Sequence, residues 1–288
     1  QRYRDRAALH QETILARGFS LFHESRQKGS YAMTVYVENT NRWRFQIHGV
    51  LVILKKNILL YYLKPPVLIF GVLFPVFFFL AFKMGRPIAA ENIVPGMVAM
   101  ALWFTSSSVG PLITPWERRA KTYERLIVTP VSLQAIIAGD ILSGVIFGAC
   151  LSIVPVILGL ILTDAAVRNL PFLVIGVIFG AVNFSSLGVL LAAPPASSPS
   201  NIMLLSNLVR LPLLFVSGIF LPIPGMPSWA RWIAPISPLS YAGDLIRVGF
   251  GQSGYFPLWL SPLVLIIFTA VLMWGAYKFH RRWRAKGL

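Results

Sequence analysis

Two ionisable residues interrupt otherwise apolar stretches of the chain, Asp140 and Arg210. Arg210 lies about ten residues into its stretch, roughly 15 Å deep if the stretch is a helix rising 1.5 Å per residue. An isolated arginine at such depth in hydrocarbon costs roughly 2.5–3.5 kcal/mol on insertion scales, so it must face protein or a water-filled cavity. Asp140 is a candidate partner for it. Two readings stay open: a buried structural arginine with a polar partner, or an arginine lining a pathway and favouring an acidic or anionic headgroup. Asp140, Asn207, Arg210 and Ser217 are the candidate pathway residues. Bond-making chemistry has little to work with. No carboxylates pair within the apolar stretches as an acid/base hydrolase requires. His10, His23, His48 and His280 are scattered through polar segments with no metal-ligand spacing, so no metal is expected. A Gly-rich loop ending in Lys and Ser or Thr is missing, so the chain is not expected to bind ATP or any other cofactor itself. Cys150 is the single cysteine, which excludes an internal disulfide.

The elements that position these residues follow from composition. Of 288 residues, 56% are hydrophobic and 12% charged, and the mean hydropathy is +0.69. A soluble domain carries about 25% charged residues. Here the charges crowd between long uncharged runs, the layout that about 30 Å of hydrocarbon imposes. The expected fold is therefore an all-α integral membrane protein. Six transmembrane helices are expected near residues 66–82, 93–113, 133–162, 171–193, 201–221 and 258–277. The third run is longer than a bilayer needs, so its first turns project or tilt.

The formal net charge of +16 would suggest nucleic acid in a soluble chain, but the basic residues flank the apolar runs. Lys55, Lys56, Lys64, Arg118, Arg119, Lys121 and Arg125 fall on one side, with Lys278, Arg281, Arg282, Arg284 and Lys286. Fewer fall on the other. The positive-inside rule then places both termini in the cytoplasm of a multi-pass plasma-membrane protein, with lipid and not nucleic acid as the partner of this charge. Residues 1–48 form a separate cytoplasmic segment, with a basic, moderately amphipathic helix over Arg2–Arg26 and strand-like alternation over Tyr31–Val37. Gln46–Tyr62 reads as a helix lying at the interface. The polar opening stretch has no signal-peptide pattern, and starting at Gln1, the chain is expected to lack upstream residues.

Two connecting segments are distinctive. Between the second and third runs, Glu117 and Glu124 are seven residues apart, and Arg118 and Arg125 repeat the interval, which on a helix places each pair along one stripe. Thr129 and Pro130 end that helix. A short charged helix of this kind is either a solvated turn or a docking element able to transmit a rigid-body push. In the second segment, Ser217 and Gly218 are small enough to admit a close helix neighbour. Pro222, Pro224 and Pro227 then break the run, and Trp229 and Trp232 are interfacial types. Pro235 and Pro238 break it again, and Asp244 and Arg247 are three apart, within pairing distance on a helix. Asn183, Ser185, Ser186 and Asn207 are suited to hydrogen bonds between helices, and Ser106 to Gly110 to a close helix contact.

Taken in order, a Glu-Arg-rich loop closing on Thr129, Pro130, Val131 and Ser132, then Ser217 to Pro222, Pro227 to Trp229, Ser237 to Tyr241, and Asp244 with Arg247 resemble the ATP-binding cassette (ABC) type-2 permease family. The likeness is to permeases of the daunorubicin-exporter kind and covers roughly residues 55–288. It implies a homodimeric permease whose subunits each pair with a separate ABC ATPase subunit, ATP and Mg residing on that partner. It implies export of a small amphipathic or hydrophobic compound, drug-like or lipid-like; export of polysaccharide or lipid-linked glycan uses the same architecture. It further implies that Glu117–Arg125, with Glu117, Arg118, Arg119, Tyr123, Glu124 and Arg125, is the coupling helix. Gln46–Tyr62 is then the connecting helix. Pro222–Phe250, with Pro222, Trp229, Trp232, Pro238, Tyr241, Asp244 and Arg247, is the re-entrant outer gate. An ion-coupled secondary carrier is the rival from another class, and it would usually place more ionisable residues in its spans.

Overall fold

Backbone inside hydrocarbon must satisfy its own N–H and C=O groups, and among the described residues every regular element is helical. The computed structural model describes residues 42–59, 90–122, 129–194, 198–220 and 222–284, with isolated positions 73, 76–77, 80–81 and 126. The chain divides after His48 into two units. Of the first, residues 42–48 are described, the opening turns of α1 (Arg42–Asn57). The second contains α2 (Ala90–Ser107), α3 (Val109–Arg119), α4 (Leu133–Leu162), α5 (Leu170–Leu191) and α6 (Pro199–Val216). Short helices α7 (Ser228–Ile233) and α8 (Pro238–Gly249) follow, each preceded by a single 3-10 turn, and α9 (Leu260–Arg284) closes the unit.

Among the described residues five stretches are long and apolar enough to cross a bilayer: Ile93–Arg119 (α2 running into α3), α4, α5, α6 and Leu260–Arg282 of α9. The expected span near 66–82 lies outside the described residues but for a few positions, as do the expected helix Arg2–Arg26 and strand Tyr31–Val37. The second span runs six residues past its expected end at Ile113, to Arg119. The fifth ends early, at Val216.

Local chemistry sets the ends. Ser132 caps α4 by accepting from the Ala135 N–H at 3.2 Å, and the Thr163 hydroxyl closes it on the Gly159 carbonyl at 2.6 Å. Ser198 caps α6, with Pro199 at its first position. The α2–α3 junction at Ser108 also has a cause. Ser107 and Ser108 donate back to the carbonyls of Trp103 and Phe104, which bends helices, and Pro111 has no N–H to offer Ser107.

The α2–α3 span is the centre of the bundle, 83% buried along its apolar window, against 17% for α9. It packs on α4, α5 and α8. Trp103 is fully buried and meets the Phe184 ring edge-on at 4.7 Å. The crossing with α5 brings backbone against backbone: a Cβ on Gly110 would fall on the Gly188 carbonyl, and one on Gly188 on the Ser107 carbonyl. Such contact substitutes for the hydrophobic drive that lipid cannot supply between helices. Neither backbone can yield as a side chain can, so Gly110→Ala is expected to cost about 1–3 kcal/mol through overpacking. A lower unfolding temperature in detergent checks this; an unchanged one would show that the crossing is looser than described.

Candidate functional site

The basic end of the bundle gathers charged side chains from three helices. Past Gly49, α1 buries a narrow stripe carrying Ile53 and Asn57 and leaves Leu51 and Val52 exposed, half in a protein groove and half available to an interface. The Asn57 amide donates to the Asp140 carboxylate at 2.8 Å and to the Ser143 hydroxyl at 3.0 Å, both on α4. One residue back, Lys56 forms an ion pair with Glu117, in the last turn of α3. Glu117 is therefore buried, not displayed on a projecting helix, because Lys56 supplies the charge that makes its burial tolerable. Arg118 donates to the carbonyls of Pro194 and Ala193 at 3.0 and 3.1 Å, just past the C-terminus of α5, where the helix dipole favours a cation. Trp116 and Arg119 are exposed, the guanidinium 5.9 Å from the indole centroid. Lys121 ends the helix at φ 56°. Tyr123, Glu124 and Arg125 lie outside the described residues.

Asp140 and Arg210 do not pair; each is satisfied by a different set of neighbours. Arg210, only 3% exposed, donates to the hydroxyls of Ser107 and Ser108 at 3.2 and 2.9 Å. It donates also to the Asn207 side-chain oxygen at 2.8 Å and the Ser206 carbonyl at 3.4 Å. Its guanidinium is 5.9 Å from the Phe104 ring centroid. Ser217 lies two turns further along, its hydroxyl donating to the Leu214 carbonyl. The structure thus joins Asn207 to Arg210 and leaves Asp140 and Ser217 apart from them.

Beyond α6 the chain folds back on itself. Gly218, at φ 85°, makes the left-handed turn that ends α6. Pro222 opens a 3-10 turn, Pro238 opens α8, and Trp229 and Trp232 on α7 are 64% and 85% exposed, as interfacial residues require. Asp244 and Arg247 lie three apart on α8, within pairing distance, yet no ion pair forms between them. The Asp244 carboxylate accepts from the Tyr255 and Phe256 N–H groups at 2.7 and 3.1 Å, and Arg247 donates to the Gly218 carbonyl. Each therefore ties α8 to a different loop, and Tyr241 stacks on Phe256 at 4.4 Å. Burial raises the Asp244 carboxyl above the usual carboxylate range, against the pull of the two N–H groups and Arg247; burial also lowers the Arg247 guanidinium.

Lys56, Asn57, Ser107 and Ser108 were not singled out as site residues from sequence. Their only signals were the polar pair Lys56 and Asn57 closing an otherwise apolar helix, and the Ser106–Ser108 run, read as a packing contact.

Residues 48–250 match the sequence model of the ABC-2 type transporter family. The chain is 26% identical over 194 residues to the inner membrane transport permease YadH of Escherichia coli K12, covering 67% of this chain and 75% of that one. It is 27% identical over 227 residues to the daunorubicin resistance ABC transporter permease protein DrrB1 of Streptomyces coeruleorubidus, covering 76% and 77%. Whatever the junction at Asn57 does, it must first hold. Asn57→Leu removes the amide from a buried carboxylate and is expected to cost about 1–3 kcal/mol, read as a lower unfolding temperature. Adding Asp140→Leu should recover part of the loss, since removing both partners leaves no orphan; a further drop would contradict the pairing.

Proposed function

The chain belongs to the ABC-2 type transporter family, and from that membership we propose that it is the permease subunit of an ATP-driven exporter. The cargo in this reading is an amphipathic or hydrophobic compound, drug-like or lipid-like, taken from the cytoplasm or the inner leaflet. The observation that carries it is the family match across residues 48–250, running from His48 within α1 through α8. The membership implies an ABC ATPase partner. Two permease copies with two ATPase subunits form the assembly, with no ATP site on this chain. The lightly buried α6 and α9, 22% and 17% along their windows, support faces turned to lipid or a second copy.

The mechanism follows from the basic end. With both termini cytoplasmic, Arg119, Trp116 and Lys121 form an exposed patch at the base of α3, the coupling contact for the ATPase. Glu117, one residue from Arg118 and paired with Lys56, links that patch to α1, and Asn57 links α1 to α4. A push on α3 then moves α1 and α4 with it, because an ion pair and amide hydrogen bonds resist shear where apolar contacts slide. At the other end, Asp244 and Arg247 hold the outer gate shut until that motion reaches it. The daunorubicin resistance relative supports drug-like cargo.

The test is recovery of a nucleotide-binding subunit with the tagged chain from native membranes. Arg119→Glu is expected to weaken that recovery by about tenfold, the equivalent of 1.4 kcal/mol. Glu117→Ala should keep the partner but lower transport per ATP hydrolysed. A wild-type chain that repeatedly comes out alone would overturn the export reading.

A further inference from the structure

We infer that Arg210, with Asn207, is the headgroup-recognition site for an amphipathic anion that binds along the open face of α6. This deepens the export reading and rests on it. Guanidinium carries five N–H donors. Four of them go to two serine hydroxyls, one amide oxygen and one backbone carbonyl, all neutral. Among the described residues no carboxylate forms an ion pair with Arg210, whereas Glu117, on the α2–α3 span that Arg210 bonds to, has Lys56 against it. Arg210 is therefore solvated but not neutralised. A full positive charge within a span is costly and is characteristic of substrate and ion pathways.

The position of Asn207 makes that charge reachable. Arg210 is buried on the side of α6 that meets α3, but Asn207, one turn back, is exposed. Its side-chain oxygen accepts from Nη2 of the guanidinium, which joins the buried charge to a residue on the open face. Around it, Leu204, Leu208 and Leu211 are 63%, 64% and 42% exposed, an apolar surface on which an acyl or polycyclic body can lie. A polar amide among exposed leucines has no packing role of its own there. A carboxylate, sulfate or phosphate oxygen at this edge takes the fifth N–H and, by displacing the Asn207 oxygen, the second Nη2 hydrogen. Charge-assisted bonds of this kind are roughly twice as strong as the neutral one they replace. The ligand class is then a single-headed anionic amphiphile, whether free or a bilayer lipid.

The test uses the purified full chain in nanodiscs of phosphatidylcholine, titrated in mildly alkaline buffer with dansylaminoundecanoic acid and, separately, with its uncharged methyl ester. The wild type is expected to prefer the acid by about tenfold, or 1.4 kcal/mol, after subtraction of empty discs. Arg210→Gln should bring the ratio to about one. Asn207→Asp places a competing carboxylate on the guanidinium without removing it and should also abolish the preference, so it decides the matter if Arg210→Gln does not fold. Equal binding of acid and ester by the wild type, or a preference that survives Asn207→Asp, would overturn the site and show Arg210 to be only a staple between α6 and α3. Doping the discs with phosphatidylglycerol separates the sources: competition identifies a bilayer lipid as occupant, and none identifies a free amphiphile. Absence of an ATPase in the pull-down would sink export and leave this binding intact, so the two failures are distinguishable.

Discussion

Everything in this molecule depends on one constraint: polarity placed in hydrocarbon must be satisfied by the protein itself. Helices meet it for the backbone, and the side chains meet it by bonding to the nearest carbonyl or to a neighbouring helix. Ser185 donates to the Ile141 carbonyl of α4, and Asn183 to the Leu265 carbonyl and Thr269 hydroxyl of α9. Each such bond spans a helix pair that apolar packing alone would not fix, since lipid competes equally for leucine. The bare crossing of α3 on α5 at Gly110 and Gly188 belongs to the same logic. Where the side chain is removed, dispersion between backbones holds the helices.

Charge follows the same rule with higher stakes, and the contrast between its two ends is informative. At the basic end, Lys56, Glu117, Asn57 and Asp140 tie three helices into one body, an arrangement suited to transmitting force. At the far end, Asp244 and Arg247 stitch α8 to separate loops and make a compact cap of short helices. Arg210 stands between these devices. Within its span it is solvated by two serine hydroxyls, an amide oxygen and a backbone carbonyl, all neutral.

The spans were legible because twenty-residue apolar runs have few interpretations. The starts of α4 and α5 fell within a residue or so of the expected ones. The interfacial tryptophans and the breaks at Pro222 and Pro238 were legible for a local reason, since proline and indole act where they stand. What was not legible was every pairing across distance. Asn57 with Asp140, Lys56 with Glu117 and Arg210 with Ser108 join residues far apart in the chain, and no periodicity encodes them. Asp140 was a candidate partner for Arg210, yet other polar groups satisfied both. Asp244 and Arg247 share a helix face, but unsatisfied backbone N–H groups and a carbonyl at a left-handed turn were the stronger claimants. Glu117 was read as part of a short charged helix, either a solvated turn or a docking element; α3 instead runs six residues past the expected end of its span and puts Glu117 against Lys56.

The central claim is that ATP hydrolysed by a partner drives movement of an amphiphile through this chain. Inside-out membrane vesicles carrying the chain and its co-purifying ATPase, loaded externally with a fluorescent amphiphile, test it most directly. The account predicts accumulation in the lumen that requires ATP and persists when ion gradients are collapsed. Accumulation that follows an imposed ion gradient and ignores ATP would contradict it and make the chain a carrier in its own right.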